Sequence, residues 1–355
     1  MKLNSNDPHN SLELSLQVLS SMNSRLSLSE SVEGFPTDLM SLLRHWKNPK
    51  RLFVGWSIYR HQKKLGLKAE NPVEKTDIMS DLLSEYVNNA SNYAGKLDFQ
   101  MLPFVHAGSI RSGEVNAEAR RYFGAAAVIG VHDGLYTFCW LLAKGIAPLL
   151  GRRNGLVFEL FAETKKREIR RSLWRLSALL IAYAKFKRPG AAPLHNPNEL
   201  GPALPVAQAL LFGMEQWALA HEFAHLLFAH SDIRFGSTKN EELAADVFAI
   251  QVLLDVTHCE IEADVMSLIK IAGPFLFIRQ MEILEKANLT LPPKEHPPWT
   301  VRWTAMLDVV NKAIRTAEDD CKEYSVSQAI EIMAERLNHA WNAYGERVRA
   351  EVLKD

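Results

Sequence analysis

The 355-residue sequence is poor in cysteine and has no excess of charge of either sign. Its three cysteines, Cys139, Cys259 and Cys321, are too few and too far apart for a disulfide scaffold or a cysteine-based zinc ribbon. Basic and acidic residues are equal at 41 each, so the bulk charge gives no reason to expect attraction to nucleic acid or to an anionic membrane. These absences favour a reducing compartment, and we expect a cytoplasmic protein.

A secretory signal and an uninterrupted membrane span are also missing. Residues 1–30 lack the basic start and the continuous apolar stretch of a signal sequence. The most apolar segment, residues 123–150, is interrupted by His132, Asp133 and Lys144, whereas a span needs about 20 predominantly apolar residues. We expect a buried pair of core helices there rather than a membrane span, because charges inside a bilayer are costly.

The apolar pattern divides the chain into three parts. Residues 1–34, rich in serine and asparagine, predict a flexible N-terminal arm, and residues 35–100 predict a helical N-terminal region. Residues 101–355 form the main domain, whose chemistry-bearing motifs lie within residues 217–302.

Within the main domain, apolar residues recur at helical spacing over residues 114–150, 156–186 and from Val206 to the C-terminus. Five prolines between Arg188 and Pro205 predict an irregular connector, because proline removes a backbone donor and restricts helical conformation. The expected fold class is therefore mainly α. The pattern leaves a small β-sheet open without locating one.

A short motif on the helix that begins near Val206 carries metal chemistry. His221 and His225 are four residues apart and therefore one turn apart on the same helical face, where their imidazoles can share one ion. Neutral imidazole is a preferred ligand of Zn²⁺. Glu222, next to the first histidine, is placed to accept a proton from the attacking water and to deliver it to the leaving amine.

A second helix supplies the remaining carboxylates. Glu242 and Asp246 are also four residues apart, and Thr238 with Glu241 makes a plausible capping box at the start of this helix. We expect Glu242 to be the third zinc ligand, with one position left open, and Asp246 to accept the spare N–H of a zinc histidine, His221 above all. The expected architecture is a helical, zincin-like metallopeptidase domain with two zinc-binding helices.

This arrangement resembles the gluzincin metallopeptidases, in which HExxH lies on one helix and a glutamate ligand, followed four residues later by an aspartate, lies on the next. It is most similar to the CAAX-prenyl-protease and membrane heat-shock peptidase branch and to the phage-exclusion (Lit-type) peptidases. Many of these carry a histidine five residues beyond the second ligand and an E-x-x-A-D run, which correspond here to His230 and to residues 242–246. The resemblance implies a zinc endopeptidase acting on a protein substrate, and by analogy with the phage-exclusion relatives a role in stress or phage defence.

A His-Pro segment downstream strengthens the resemblance. The run from His296 to Arg302, HPPWTVR, is similar to the His-Pro segment followed by arginine in those peptidases. His296 has two interpretations, a catalytic group that stabilises the oxyanion or a helix cap. Arg302 is expected to anchor the turn or to bind an acidic group rather than to act in the reaction.

Other chemistry-bearing residues have simpler interpretations. His230 is rotated by about 140° around the helix from His225 and is not expected to be a ligand. His258 and Cys259 are interpreted as ordinary partly buried residues. The basic stretch over residues 152–175 is interleaved with glutamates, which favours a solvated helical face over a nucleic-acid site.

The basic stretch nevertheless carries the alternative function, a non-proteolytic metal-dependent sensor or regulatory protein that binds nucleic acid or another protein. The retained base Glu222 favours the peptidase, because a pure binding site has no need of it.

Overall fold

The computed structural model describes part of the chain, and its account of the fold is confined to that part. The described residues are 75–99, 102, 104–110, 114–121, 126–154, 157–160, 166–186, 200–257, 265–286, 296–316 and 328–338. The predicted arm at 1–34, most of the proline-rich connector, His258, Cys259 and Cys321 lie outside them.

Helices make up most of the described residues. In chain order they are α1 (Lys75–Lys96), α2 (Asp133–Leu150), α3 (Lys166–Phe186), α4 (Leu204–His230), α5 (Thr238–Thr257), α6 (Val265–Lys286), α7 (Trp299–Thr316) and α8 (residues 328–338). A short 3₁₀ turn, Gly201–Ala203, leads directly into α4, and a proline in the first turn of α4 fits its preference for that position.

A small sheet accompanies the helices. Its strands are β1 (Phe104–Ile110), β2 (Ala117–Arg121) and β3 (Ala126–His132), in the order β1-β3-β2. Strand β1 runs parallel to β3, and β2 runs antiparallel to it. A separate hairpin pairs β4 (Gly151–Asn154) with β5 (Val157–Leu160). The prediction of a mainly α fold with a small sheet is confirmed.

The helical interpretation of residues 114–150 is wrong in its first half. Strands β2 and β3 occupy residues 117–121 and 126–132, and the expected pair of core helices is one strand followed by α2. The helical interpretation of residues 156–186 is likewise wrong at its start, which is β5. Short apolar runs such as AAVIGVH fit a buried strand and a buried helix equally well. Among the described residues, no helix has the length and apolar character needed to cross a bilayer.

Helix α4 lies at the centre of the packing. It contacts α1, α2, α5 and α6 as well as β2 and β3, so most of its circumference is covered. This explains why its sequence is apolar on nearly all sides rather than on one stripe. Buried polar groups on such a helix need specific partners, and α4 carries the chemistry-bearing motif.

Helices α4 and α6 approach closely at two glycines. A Cβ atom built on Gly213 would lie 1.8 Å from the carbonyl oxygen of Lys270, and one built on Gly273 would lie 2.7 Å from the carbonyl oxygen of Leu210. Real Cβ contacts are longer than 3.0 Å. The absence of side chains at these two positions therefore sets the distance between the two helices.

Candidate metal centre

Three side chains from α4 and α5 converge in the region predicted by the sequence. Potential ligand atoms of His221, His225 and Glu242 all lie within 4.8 Å of one another. His221 and Glu242 are buried, and His225 is partly exposed. The polar segment that joins α4 to α5 reverses the chain, so that the first turns of α5 lie beside the last turns of α4.

The distances between these atoms match the edges of a zinc coordination sphere. The Nε2 atoms of His221 and His225 are 3.2 Å apart. Glu242 Oε2 lies 3.3 Å from His221 Nε2, and Glu242 Oε1 lies 3.4 Å from His225 Nε2. Tetrahedral zinc with bonds of about 2.0–2.1 Å separates its ligand atoms by about 3.3 Å. The donor set and its spacing therefore fit Zn²⁺.

His221 is held by a buried chain of charged groups. Its Nδ1 lies 3.0 Å from the Oδ1 of Asp246, which is fully buried. Arg302, on α7, donates to both oxygens of Asp246 at 2.6 Å. The guanidinium carbon lies over two indole rings, 5.6 Å from the centroid of Trp217 and 4.8 Å from that of Trp299. The chain orients His221 with its Nε2 towards the ligand cluster.

His225 has a carboxylate partner that sequence reasoning missed as a functional residue. Its Nδ1 lies 2.9 Å from the Oε1 of Glu241. The expected capping box of Thr238 and Glu241 is wrong, because Ser237 performs the capping and its Oγ accepts the N–H of Asn240 at 3.3 Å. The signal available in the sequence was the Glu241-Glu242 pair, whose adjacent members point about 100° apart on a helix.

His296 lies against the third candidate ligand. Its Nδ1 is 2.6 Å from the Oε2 of Glu242, and its side chain is 42% exposed. At the start of α7 the N–H groups of Val301 and Arg302 donate to the carbonyl oxygen of Pro298. Because the His296 ring contacts Glu242 and is partly exposed, it lies at the open side of the cluster, which is the side that faces solvent.

The hydrogen bonds determine the ionisation of this group. Burial alone would lower the pKa of His221, but its hydrogen bonds to Asp246 and Glu242 outweigh burial and raise the pKa to about 9. Burial opposes ionisation of Glu242, yet hydrogen bonds from His221, His225 and His296 hold its pKa well below the usual value. The pair with Arg302 similarly outweighs burial and keeps Asp246 ionised.

Glu222 differs from these carboxylates. Burial raises its pKa above the usual value for glutamate, although the neighbouring histidines oppose the shift. A carboxylate with a raised pKa beside a ligand cluster is suited to accept and return a proton.

Comparison with known proteins places this cluster within a region of peptidase similarity. Residues 158–320 match the family Peptidase U49. The matched range includes both helices of the cluster, the partner residues and the His296 to Arg302 segment. No curated protein matches the chain, and neither does any solved structure. The similarity supports a peptidase that acts on proteins or peptides.

His230 and the basic stretch over residues 152–175 do not belong to the cluster of His221, His225 and Glu242. His230 ends α4, and its Nδ1 is 3.1 Å from the Nη2 of Arg121. Arg167 and Arg171 of the basic stretch are exposed, whereas Arg175 is buried. The described part of the predicted basic face therefore has fewer exposed arginines than the sequence indicates, because Arg175 does not reach the surface.

Proposed function

We propose that the protein is a zinc-dependent endopeptidase in which His221, His225 and Glu242 hold the metal and Glu222 is the general base. The observation that carries the proposal is the set of separations between the two Nε2 atoms and the two Glu242 oxygens, 3.2–3.4 Å, which are close to those between the ligands of tetrahedral zinc, while the Nδ1 of each histidine contacts a carboxylate. The similarity to Peptidase U49 over residues 158–320 supports the choice of reaction.

The position of β2 supports a peptide substrate. Ala117, at one end of the strand, borders the same small cavity as Glu215 and Leu219 of α4. Arg121, at the other end, donates to the carbonyl oxygen of Ala229 at 3.3 Å. The strand therefore runs alongside the turns of α4 that carry the cluster.

The far edge of β2 has no strand paired to it in the described sheet. The strand order β1-β3-β2 gives β2 a strand partner on one side within the described residues. An extended peptide can add to such an edge through main-chain hydrogen bonds. A substrate bound there would pass beside the ligand cluster.

In the proposed reaction, His221, His225 and Glu242 would hold a zinc ion, which would supply a Lewis acid for the scissile carbonyl and lower the pKa of a water to about 7. Glu222 removes a proton from the attacking water and returns it to the leaving amine. Asp246 and Arg302 hold His221 in its ligating orientation. His296, at the open side of the cluster, is placed to donate to the oxyanion once a substrate is bound.

The test is a digest of cell extract by zinc-loaded protein, followed by mass spectrometry of newly formed N-termini. The wild type should generate new N-termini, and Glu222→Gln should reduce their formation by about 10²- to 10⁴-fold while it keeps its zinc, because a neutral amide cannot act as a base. Glu168→Gln, the same change at an exposed site in the first turn of α3, is the matched control and should cleave normally.

Equal cleavage by the wild type and Glu222→Gln would contradict the mechanism. Zinc binding without any new N-terminus, together with a salt-sensitive complex with nucleic acid, would favour the metal-dependent sensor instead. The low cysteine content favours the cytoplasm as the proposed compartment, and the analogy with the phage-exclusion peptidases suggests a role in stress or phage defence.

A further inference from the structure

The two candidate zinc histidines have different carboxylate partners. The Asp246 that contacts His221 is fully buried and bound by Arg302 through two hydrogen bonds. The Glu241 that contacts His225 has a side chain that is 37% exposed. Within the described part of the chain, the hydrogen bond and the ion pair of the Glu241 side chain are both with His225, and no lysine or arginine takes part.

This difference changes the charge that each carboxylate presents to the cluster. Arg302 compensates the negative charge of Asp246, so that pair is close to neutral as seen from the metal position. Glu241 has no such compensation among the described contacts. Its charge therefore acts on His225 and, through that ring, on a bound cation.

The contact of Glu241 is not a by-product of helix capping. At the start of α5 the carbonyl oxygen of Ser237 accepts the N–H groups of Asn240 and Glu241, at 3.1 Å and 3.2 Å. The Ser237 hydroxyl also accepts the N–H of Asn240. The N–H groups of Asn240 and Glu241 thus have acceptors without the Glu241 side chain, which contacts His225.

We propose that Glu241 is a positioning residue that tightens zinc binding by fixing the tautomer and orientation of His225. With the proton of His225 held on Nδ1 by Glu241, the lone pair on Nε2 faces His221 and Glu242. The uncompensated charge of Glu241 adds an attraction for the cation that Asp246 does not supply. This inference rests on the proposed zinc site.

The test measures zinc affinity by competition with a chelator of known affinity, without any activity assay. Glu241→Ala removes both the hydrogen bond and the charge, and should raise the zinc dissociation constant about 10- to 100-fold. Glu241→Gln keeps an acceptor oxygen and loses only the charge, so its affinity should lie between those of Glu241→Ala and the wild type.

Glu168→Gln controls for loss of a charge in the first turn of a helix, since Glu168 occupies that position in α3. It should bind zinc like the wild type. Melting temperatures of the metal-free forms, measured alongside, identify any variant that fails to fold. If Glu241→Ala does not fold, the near-isosteric Glu241→Gln carries the test.

The outcomes separate this inference from the function on which it rests. Wild-type zinc affinity in both folded Glu241 variants would overturn the positioning role and leave the zinc site intact. A wild-type protein that does not bind zinc would overturn the proposed function and this inference with it. Weakened affinity in the Glu241 variants and unchanged affinity in Glu168→Gln would support the inference.

Discussion

Three buried or largely buried carboxyl groups on α4 and α5 are stabilised in different ways. Glu242 lies among three histidines, and Asp246 is paired with Arg302. Glu215, more than one helical turn before His221, has the hydroxyl of Tyr86 as its recorded hydrogen-bond donor, at 3.3 Å from Oε2. The first two are held ionised by positive neighbours. Burial instead raises the pKa of Glu215 to about 7, and the hydrogen bond from Tyr86 only partly opposes it.

The raised pKa of Glu215 predicts a loss of stability as pH rises. The carboxyl is protonated in the folded state at pH values where the unfolded chain has already lost this proton. The stabilisation is therefore complete below about pH 4.5 and is lost as pH rises through about 7. A shift of this size corresponds to about 3 kcal/mol.

Replacing Glu215 with glutamine isolates this effect, because the amide is neutral at every pH. Relative to Glu215→Gln, we expect the wild type to lose about 2–3 kcal/mol of unfolding free energy between pH 5 and pH 8. Urea unfolding of both proteins, with a chelator present so that metal binding does not contribute, measures this difference. A difference that does not change with pH would show that Glu215 ionises normally in the folded protein.

At the scale of the secondary-structure elements, α4, which carries the candidate site, packs closely against α6. Gly213→Ala places a Cβ atom 1.8 Å from the carbonyl oxygen of Lys270, so the two helices must separate. Alanine favours a helix by about 1 kcal/mol over glycine, but overpacking commonly costs about 1–3 kcal/mol and sometimes more. We therefore expect a net destabilisation in urea unfolding despite the better helix propensity.

The matched control for this change is Gly236→Ala. Its Cβ atom would approach a single described side chain, that of Asn240, at 3.8 Å. Its unfolding free energy should stay within about 0.5 kcal/mol of the wild type. A Gly213→Ala protein as stable as the control would mean that α4 and α6 are not in backbone contact at this position.

The elements differ in how far the sequence determined them. Segments α4 and α5 are long and contain paired polar residues four apart, so the spacing predicted that both are helices. The strands did not follow from spacing, because β3 is a short apolar run whose pattern also fits a buried helix. Strand β2 has five residues, AEARR, with two arginines and no large apolar side chain, so its strand character comes from pairing with β3.

At the scale of the whole molecule, α4 joins the sheet, α1 and the helices that follow it to the candidate metal centre. The sequence alone predicted the residues of this centre, since His221 with His225 and Glu242 with Asp246 form i, i+4 pairs on two helices. Glu222 adjoins the first histidine. The partners of those residues were harder to predict from the sequence. The contacts of Glu241 with His225 and of Arg302 with the indole of Trp217 depend on helix crossings that spacing does not encode.

The measurement that tests the central claim most directly is the metal content of the purified protein after zinc loading and extensive dialysis. Elemental analysis should find about one zinc ion per chain in the wild type and in Glu222→Gln, because the proposed base is not one of the proposed ligands. His225→Ala, which removes one of the three proposed ligands, should retain far less. A wild type without zinc, or a His225→Ala variant that holds as much zinc as the wild type, would contradict the proposed metal centre.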